Sequence, residues 1–167
     1  MTQTKKMRTG YHITDKTEIK AILDNCERCR IGLSEQGTPY VVPLNYGYTY
    51  DNDILTIYFH SGFDGRKMEI IRESPLACFE VDCDYKLDPD KRQDGNAVKW
   101  ESIIGTGIIQ EVRDIESKKK ILGNMMKKFH EYNQHYRPNA LTDSRVINVG
   151  VFKLVLDEFK AKRIFHT

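Results

Sequence analysis

The chain has 167 residues, with 26 basic and 24 acidic side chains and a formal net charge of +2. That is the size of one domain, and the near balance argues against a general nucleic-acid binder, which carries a marked basic excess. A mean hydropathy of -0.57, no run of ~18 apolar residues to cross a bilayer and no apolar segment of a secretory signal near the N-terminus lead to the expectation of a soluble, cytoplasmic protein.

Residues 14–25 are predicted as a helix. Asp15 and Glu18 have capping-box spacing, and Ile19, Ile22, Leu23 and Cys26 make one apolar face. A strand over 29–34 and a glycine-containing turn at 35–38 follow. Residues 39–49 are β-branched and aromatic but interrupted by Pro39 and Pro43. A proline removes a ladder donor, so this strand is expected at an edge, bulged, or open at that point. After a turn at 50–53 comes a strand over 54–60, then a short helix over 65–73 with Met68, Ile70 and Ile71 as its apolar contacts. Ser74-Pro75 ends that helix.

A further strand covers 76–85 and a polar loop covers 86–96. A long strand runs over 98–113, with Gly105 and Gly107 marking a bulge or bend. Asp114 caps a helix reaching about Tyr132, whose buried side is Ile115, Leu122, Met125, Met126 and Phe129. The two methionines read as core filler, and the lysines at 118–120 as a solvated face. Residues 133–144 form a loop, and one or two strands close the chain over 147–165. Six strands and three helices, with one strand too long to stay straight, point to a mainly β fold. A closed or partly closed β-barrel with peripheral helices accounts for it best, ahead of an open α+β sheet, in one domain over 1–167.

Four cysteines occur as Cys26/Cys29 and Cys78/Cys83. The odd spacing of the second pair puts its members on opposite faces of a strand, and the first pair lacks the glycine of a zinc knuckle. Small reduced core residues are a better reading than a metal site, and no metal is expected.

The stretch from His60 to Lys67 carries the most chemistry. A phosphate monoester presents close to two charges and three acceptor oxygens. Arg66 offers a planar fork of donors and Lys67 a point charge. Ser61 adds a hydroxyl, and Gly65 lets the N–H groups of the following helix start approach closely. The alternative is a solvated strand-to-helix corner with ordinary surface cations. The strand carrying Pro43 and Asn45 could meet the imide edge of a flat heteroaromatic ring, and Trp100, Glu101 and Ser102 lie on a further strand. Together these suggest a phosphorylated ring cofactor.

The segments 37–46 (GTPYVVPLNY), 57–61 (IYFHS), 65–67 (GRK) and 100–107 (WESIIGTG), in this order, resemble the pyridoxamine 5'-phosphate oxidase-like FMN-binding split barrels, in their 5-nitroimidazole resistance branch. The resemblance spans roughly residues 12–163. It implies a six-stranded split barrel that forms a homodimer and holds FMN at the subunit interface. On the matching positions, Ser61, Arg66 and Lys67 would take the phosphate. Val42, Pro43, Leu44 and Asn45 would run along the ring. The strand with Trp100, Glu101 and Ser102 would reach the flavin from the other subunit. His60 matches a histidine beside the flavin and is the candidate for substrate contact.

The extra arginines that hold a second phosphate in the vitamin B6 oxidases have no match here. Lys160 stands where those enzymes carry an aromatic residue, while Lys162 fits the other branch, with Ala161 in place of glycine. The function implied is transfer of electrons from a reduced nicotinamide to a small oxidant such as a nitro-aromatic. The rival is a non-catalytic flavin- or haem-binding barrel, for which His12, His60, His130, His135 and His166 are formal ligand candidates.

Overall fold

The structure is a computed structural model, and residues 10–87, 98–130 and 141–164 are described. In chain order the elements are β1 (Gly10–Ile13), α1 (Lys16–Asn25), β2 (Arg28–Glu35), β3 (Thr38–Asn45), β4 (Gly47–Asp51), β5 (Ile54–Ser61), α2 (Arg66–Glu73), β6 (Leu76–Leu87), β7 (Val98–Val112), α3 (Ile115–His130), α4 (Asp143–Val146) and β8 (Gly150–Ile164). The expectation of a mainly β architecture with peripheral helices holds. The six expected strands become eight described ones for two reasons: β1 is an additional short strand, and the expected strand at 39–49 breaks at Tyr46 into β3 and β4. The closing segment is one strand. The loop expected at 86–96 starts later, because Lys86 and Leu87 still belong to β6; its remainder, and the end of the helix expected at Tyr132, fall outside the described residues.

All strands join one antiparallel sheet in the order β3-β2-β6-β7-β8-β5-β4, with β1 also pairing β8. The two ends of this path, β3 and β4, are consecutive in the chain and separated by Tyr46 alone. One residue therefore carries the chain from one edge of the sheet to the other, which closes the sheet into a barrel with a seam. Tyr46 is fully buried. Its hydroxyl donates to the Leu23 carbonyl oxygen at 2.7 Å and its ring meets Phe79 edge-on at 5.7 Å, so the seam crossing is fixed from inside.

The split has a second cause in β8. Its outer neighbour along the whole length is β7. On its other side, residues 150–155 pair β5 and residues 161–164 pair β1. The register of β7 on β8 shifts between Thr106 and Gly107, as the two glycines led us to expect. A Cβ at Gly107 would lie 1.9 Å from the Val155 carbonyl oxygen, so only glycine fits this bend. Leu55, Ile57, Phe59, Phe79, Ile103 and Leu154 fill the barrel and are essentially fully buried.

The turns follow their residues. Gln36-Gly37 and Asn52-Asp53 all have positive φ, the conformation that two-residue hairpins require and that Gly, Asn and Asp adopt most readily. Asp15 caps α1 by accepting from the N–H groups of Thr17 and Glu18, and Asp114 accepts from the N–H of Ser117 at 2.8 Å, as expected of each. One expectation is corrected. Lys118 does not lie on a solvated face: it is 4% exposed, and its ammonium donates to the Val149 carbonyl oxygen at 2.9 Å. Helix α3 lies against β4 and β5, and its first turns turn that lysine inward.

Candidate cofactor site

Strand β3 is paired on one side only, with β2, which agrees with its prolines. Pro39 and Pro43 are four residues apart and share one direction, so their missing donors face the unpaired edge at the seam. Val42 and Leu44 are half-buried and turn toward the barrel, while Pro43 and Asn45 are exposed. Across the seam, β5 ends with His60 and Ser61. The chain then turns through residues 62–65 into α2, which packs on β2. The β5–α2 corner thus bridges the seam beside β3.

At that corner Gly65 has φ 96 and ψ 165, and no side chain caps the start of α2. A Cβ at Gly65 would have no neighbour within 4 Å, so the approach to the first-turn N–H groups is open. Arg72 donates to the Phe63 carbonyl oxygen and ties the turn to the far end of α2. Lys67 is half-buried, and burial holds its ammonium pKa below the ordinary lysine value. His60 is exposed at the strand end, yet partial desolvation by its surroundings first and the neighbouring Lys67 charge second lower its pKa, so the structure brings these two side chains within electrostatic reach of each other.

Arg66 behaves differently from Lys67. Its guanidinium pairs with Glu35 at 2.5 Å and lies 4.7 Å from the Tyr40 ring centroid. It is exposed and directed at the β2–β3 hairpin. Glu35 and Tyr40 are neighbours of Arg66 that the sequence did not reveal, because nothing local links residue 35 to residue 66.

Asn45 and His60 line one cleft of about 270 Å³, together with Leu122, Met125 and Met126 of α3. Met125 is core, at 3% exposure, whereas Met126 is half-buried and forms part of the cleft wall. The polar groups therefore come from the seam and the apolar floor from a helix far away in the sequence. That floor was legible only as an apolar helix face, with no signal for what it covers.

Trp100 and Ser102 do not reach this cleft in the same chain. They line a separate groove of about 310 Å³ with Ile104, Phe159, Lys160 and Lys162 on the outer face of β7 and β8. Glu101 alternates to the opposite face, is 3% exposed and pairs with Arg163; Arg163 also bonds Glu18 of α1 at 3.2 Å. The same outer face exposes Val41, Leu76, Ile104 and Ile108 at 60%, 58%, 50% and 40%, and Leu76 pairs directly with Ile108 in register.

A family model for pyridoxamine 5'-phosphate oxidase matches residues 15–163. The chain belongs to the pyridoxamine 5'-phosphate oxidase family. Among solved structures it is similar to a candidate 5-nitroimidazole antibiotic resistance protein from Bacteroides thetaiotaomicron, at 29% identity and a TM-score of 0.76, over 93% of this chain and 87% of that one. That likeness agrees with the branch suggested by the motifs. The fold is shared with an FAD-binding protein from Mesorhizobium loti (21% identity, TM-score 0.62, 92% and 97% of the two chains). It is also shared with an FAD and haem binding protein from Mycobacterium smegmatis (14% identity, TM-score 0.72, 93% and 74%). No curated protein matches the chain. No helix among the described residues is long and apolar enough to cross a membrane.

Proposed function

We propose that this member of the pyridoxamine 5'-phosphate oxidase family binds FMN at the seam of its barrel and passes electrons from a reduced nicotinamide to a small oxidant such as a nitro-aromatic. The observation that carries the reading is the β5–α2 corner: a half-buried lysine beside an uncapped helix start and a strand-end serine. The residues fit a phosphate monoester. Lys67 already bears the desolvation cost of burial, which a phosphate dianion would offset. The open N–H groups of α2 and the Ser61 hydroxyl supply neutral donors. Arg66 would join once it releases Glu35. Val42 to Asn45, on the unpaired edge of β3, would meet the ring.

The proposal includes a homodimer. The exposed apolar residues of β3, β6 and β7 form a patch of the kind that marks an interaction site. Joining two such faces would bring the groove with Trp100 and Ser102 of one copy toward the cleft of the other. Similarity to the candidate resistance protein supports the choice of a nitro-aromatic oxidant. The flavin, when bound, supplies the redox chemistry. The chain supplies orientation, an apolar wall at Met126 and Leu122, and a titratable imidazole at His60.

The test is direct. The purified full chain is expected to be yellow, to release FMN on denaturation, to bleach with NADH or NADPH under anaerobic conditions, and to regain its colour when a nitroimidazole is added. A colourless protein that FMN cannot reconstitute would sink the reading, and a Soret band would replace flavin with haem.

A proton-donor role for His60 makes a separate prediction. With its pKa held below the ordinary 6.5, the imidazolium is lost as pH rises toward neutrality. The reoxidation rate with a nitroimidazole should therefore fall with pH through an apparent pKa below 6.5. His60→Gln should flatten that limb while retaining FMN. An unchanged pH profile in the variant rules the role out.

A further inference from the structure

The last turn of α1 ends in an unusual set of neighbours. The Ile22 carbonyl accepts the N–H of Cys26 at 3.1 Å and the thiol of Cys83 at 3.9 Å. The next carbonyl, of Leu23, accepts the Tyr46 hydroxyl at 2.7 Å and the Lys128 ammonium at 2.6 Å. The last carbonyls of a helix have no partner within it, and here they are satisfied from β6, the seam residue and α3. Two cysteines 57 positions apart in sequence are thereby drawn to one peptide group, and the Cys83 side chain is the foremost influence on the Cys26 thiol. All four cysteines are reduced thiols. Cys26 is 2% exposed, while Cys83 is only half-buried and gives a reagent access to the pair.

We propose that Cys26 and Cys83 form a reversible disulfide by exchange with a low-molecular-weight disulfide, locking the C-terminal end of α1 onto β6. In the first step the Cys83 thiolate attacks one sulfur of the reagent, forms a mixed disulfide, and expels one reagent thiolate. In the second, the Cys26 thiol loses its proton to the neighbouring Lys128 amine and attacks the Cys83 sulfur, and the second reagent thiolate leaves. The two protein thiols give up two electrons and two protons. The reagent disulfide takes up both electrons and emerges as two thiols. Lys128 suits the proton transfer. Its amine lies 3.5 Å from the Tyr46 ring centroid, and burial lowers its pKa to about 8, so part of it is neutral near physiological pH. The Cys26 thiol is itself held well above the ordinary range, first by the adjacent Cys83 thiol and then by burial. The mixed disulfide at Cys83 removes the first of these causes, whereas Cys29 is fully buried and burial, which the exchange does not relieve, is the main cause of its thiol pKa of about 12. Cys78 sits on the opposite face of β6 and cannot reach α1.

Incubating the full chain with oxidised glutathione tests this. Non-reducing peptide mapping should show one cross-link between the peptides containing Cys26 and Cys83. Alkylatable thiols in the denatured protein should drop by half, the thermal midpoint should rise, and dithiothreitol should reverse all three. Cys29→Ser should keep the cross-link and Cys26→Ser should abolish it, with circular dichroism confirming that both variants fold. Glutathione adducts at Cys78 or Cys83 with Cys26 still alkylatable, a Cys26–Cys29 cross-link, or no reaction would each overturn the proposal.

Discussion

Lys67→Ala is expected to weaken FMN binding by roughly ten- to a hundred-fold, corresponding to the about 1.5–3 kcal/mol typical of a hydrogen bond to a charged group. The fold should be unaffected, since among the described residues no carboxylate forms a salt bridge with Lys67, and burial alone lowers its pKa. Arg66→Ala should do less by itself. Its guanidinium is exposed and paired with Glu35, so the gain from a phosphate contact is reduced by the loss of that pair. Glu35→Ala therefore becomes informative: releasing Arg66 should tighten FMN binding or leave it unchanged. The double change at Arg66 and Lys67 should give a folded protein that does not retain FMN through gel filtration. Fluorescence titration with FMN measures all four variants. Equal affinity in Lys67→Ala and the parent would remove the phosphate site from this corner.

The barrel was legible because its signals are local. Alternating apolar residues, turn pairs and two prolines in β3 specify strands and an edge without reference to distant partners. The bend at Gly105 and Gly107 was equally readable. The seam was harder to see. That Tyr46 joins opposite edges of the sheet follows from the pairing order, which no window of sequence contains, so β3 and β4 read as one strand. The same limit applies to the site. His60, Ser61 and Lys67 are neighbours in sequence and could be grouped on sight. Met126 and Glu35 enter through long-range packing. A lysine triplet has the signature of a solvated helix face, and the orientation of α3, set by packing far from residues 118–120 in sequence, decides that Lys118 of the three turns inward.

Glu101 shows how a residue beside a functional motif can serve the fold. It stands between Trp100 and Ser102, yet strand alternation sends it to the barrel side, where it is 3% exposed. There it pairs with Arg163 of β8, which also holds Glu18 on α1. Removing one partner of a buried pair leaves a charge with neither water nor counter-ion, at a cost of about 3–5 kcal/mol. Arg163→Ala should therefore be among the most destabilising single changes in the protein, lowering the denaturant midpoint with little change in m. The matched change Glu101→Leu with Arg163→Met removes both charges and should recover most of the loss, since apolar replacement of a buried pair is often neutral. If Glu101 instead contacted a bound flavin, Glu101→Leu with Arg163→Met would regain stability but lose FMN. Retained FMN in the stable double variant would assign Glu101 to the anchoring of α1 across the barrel, and leave Trp100 and Ser102 as the members of that strand able to face a second copy of the chain.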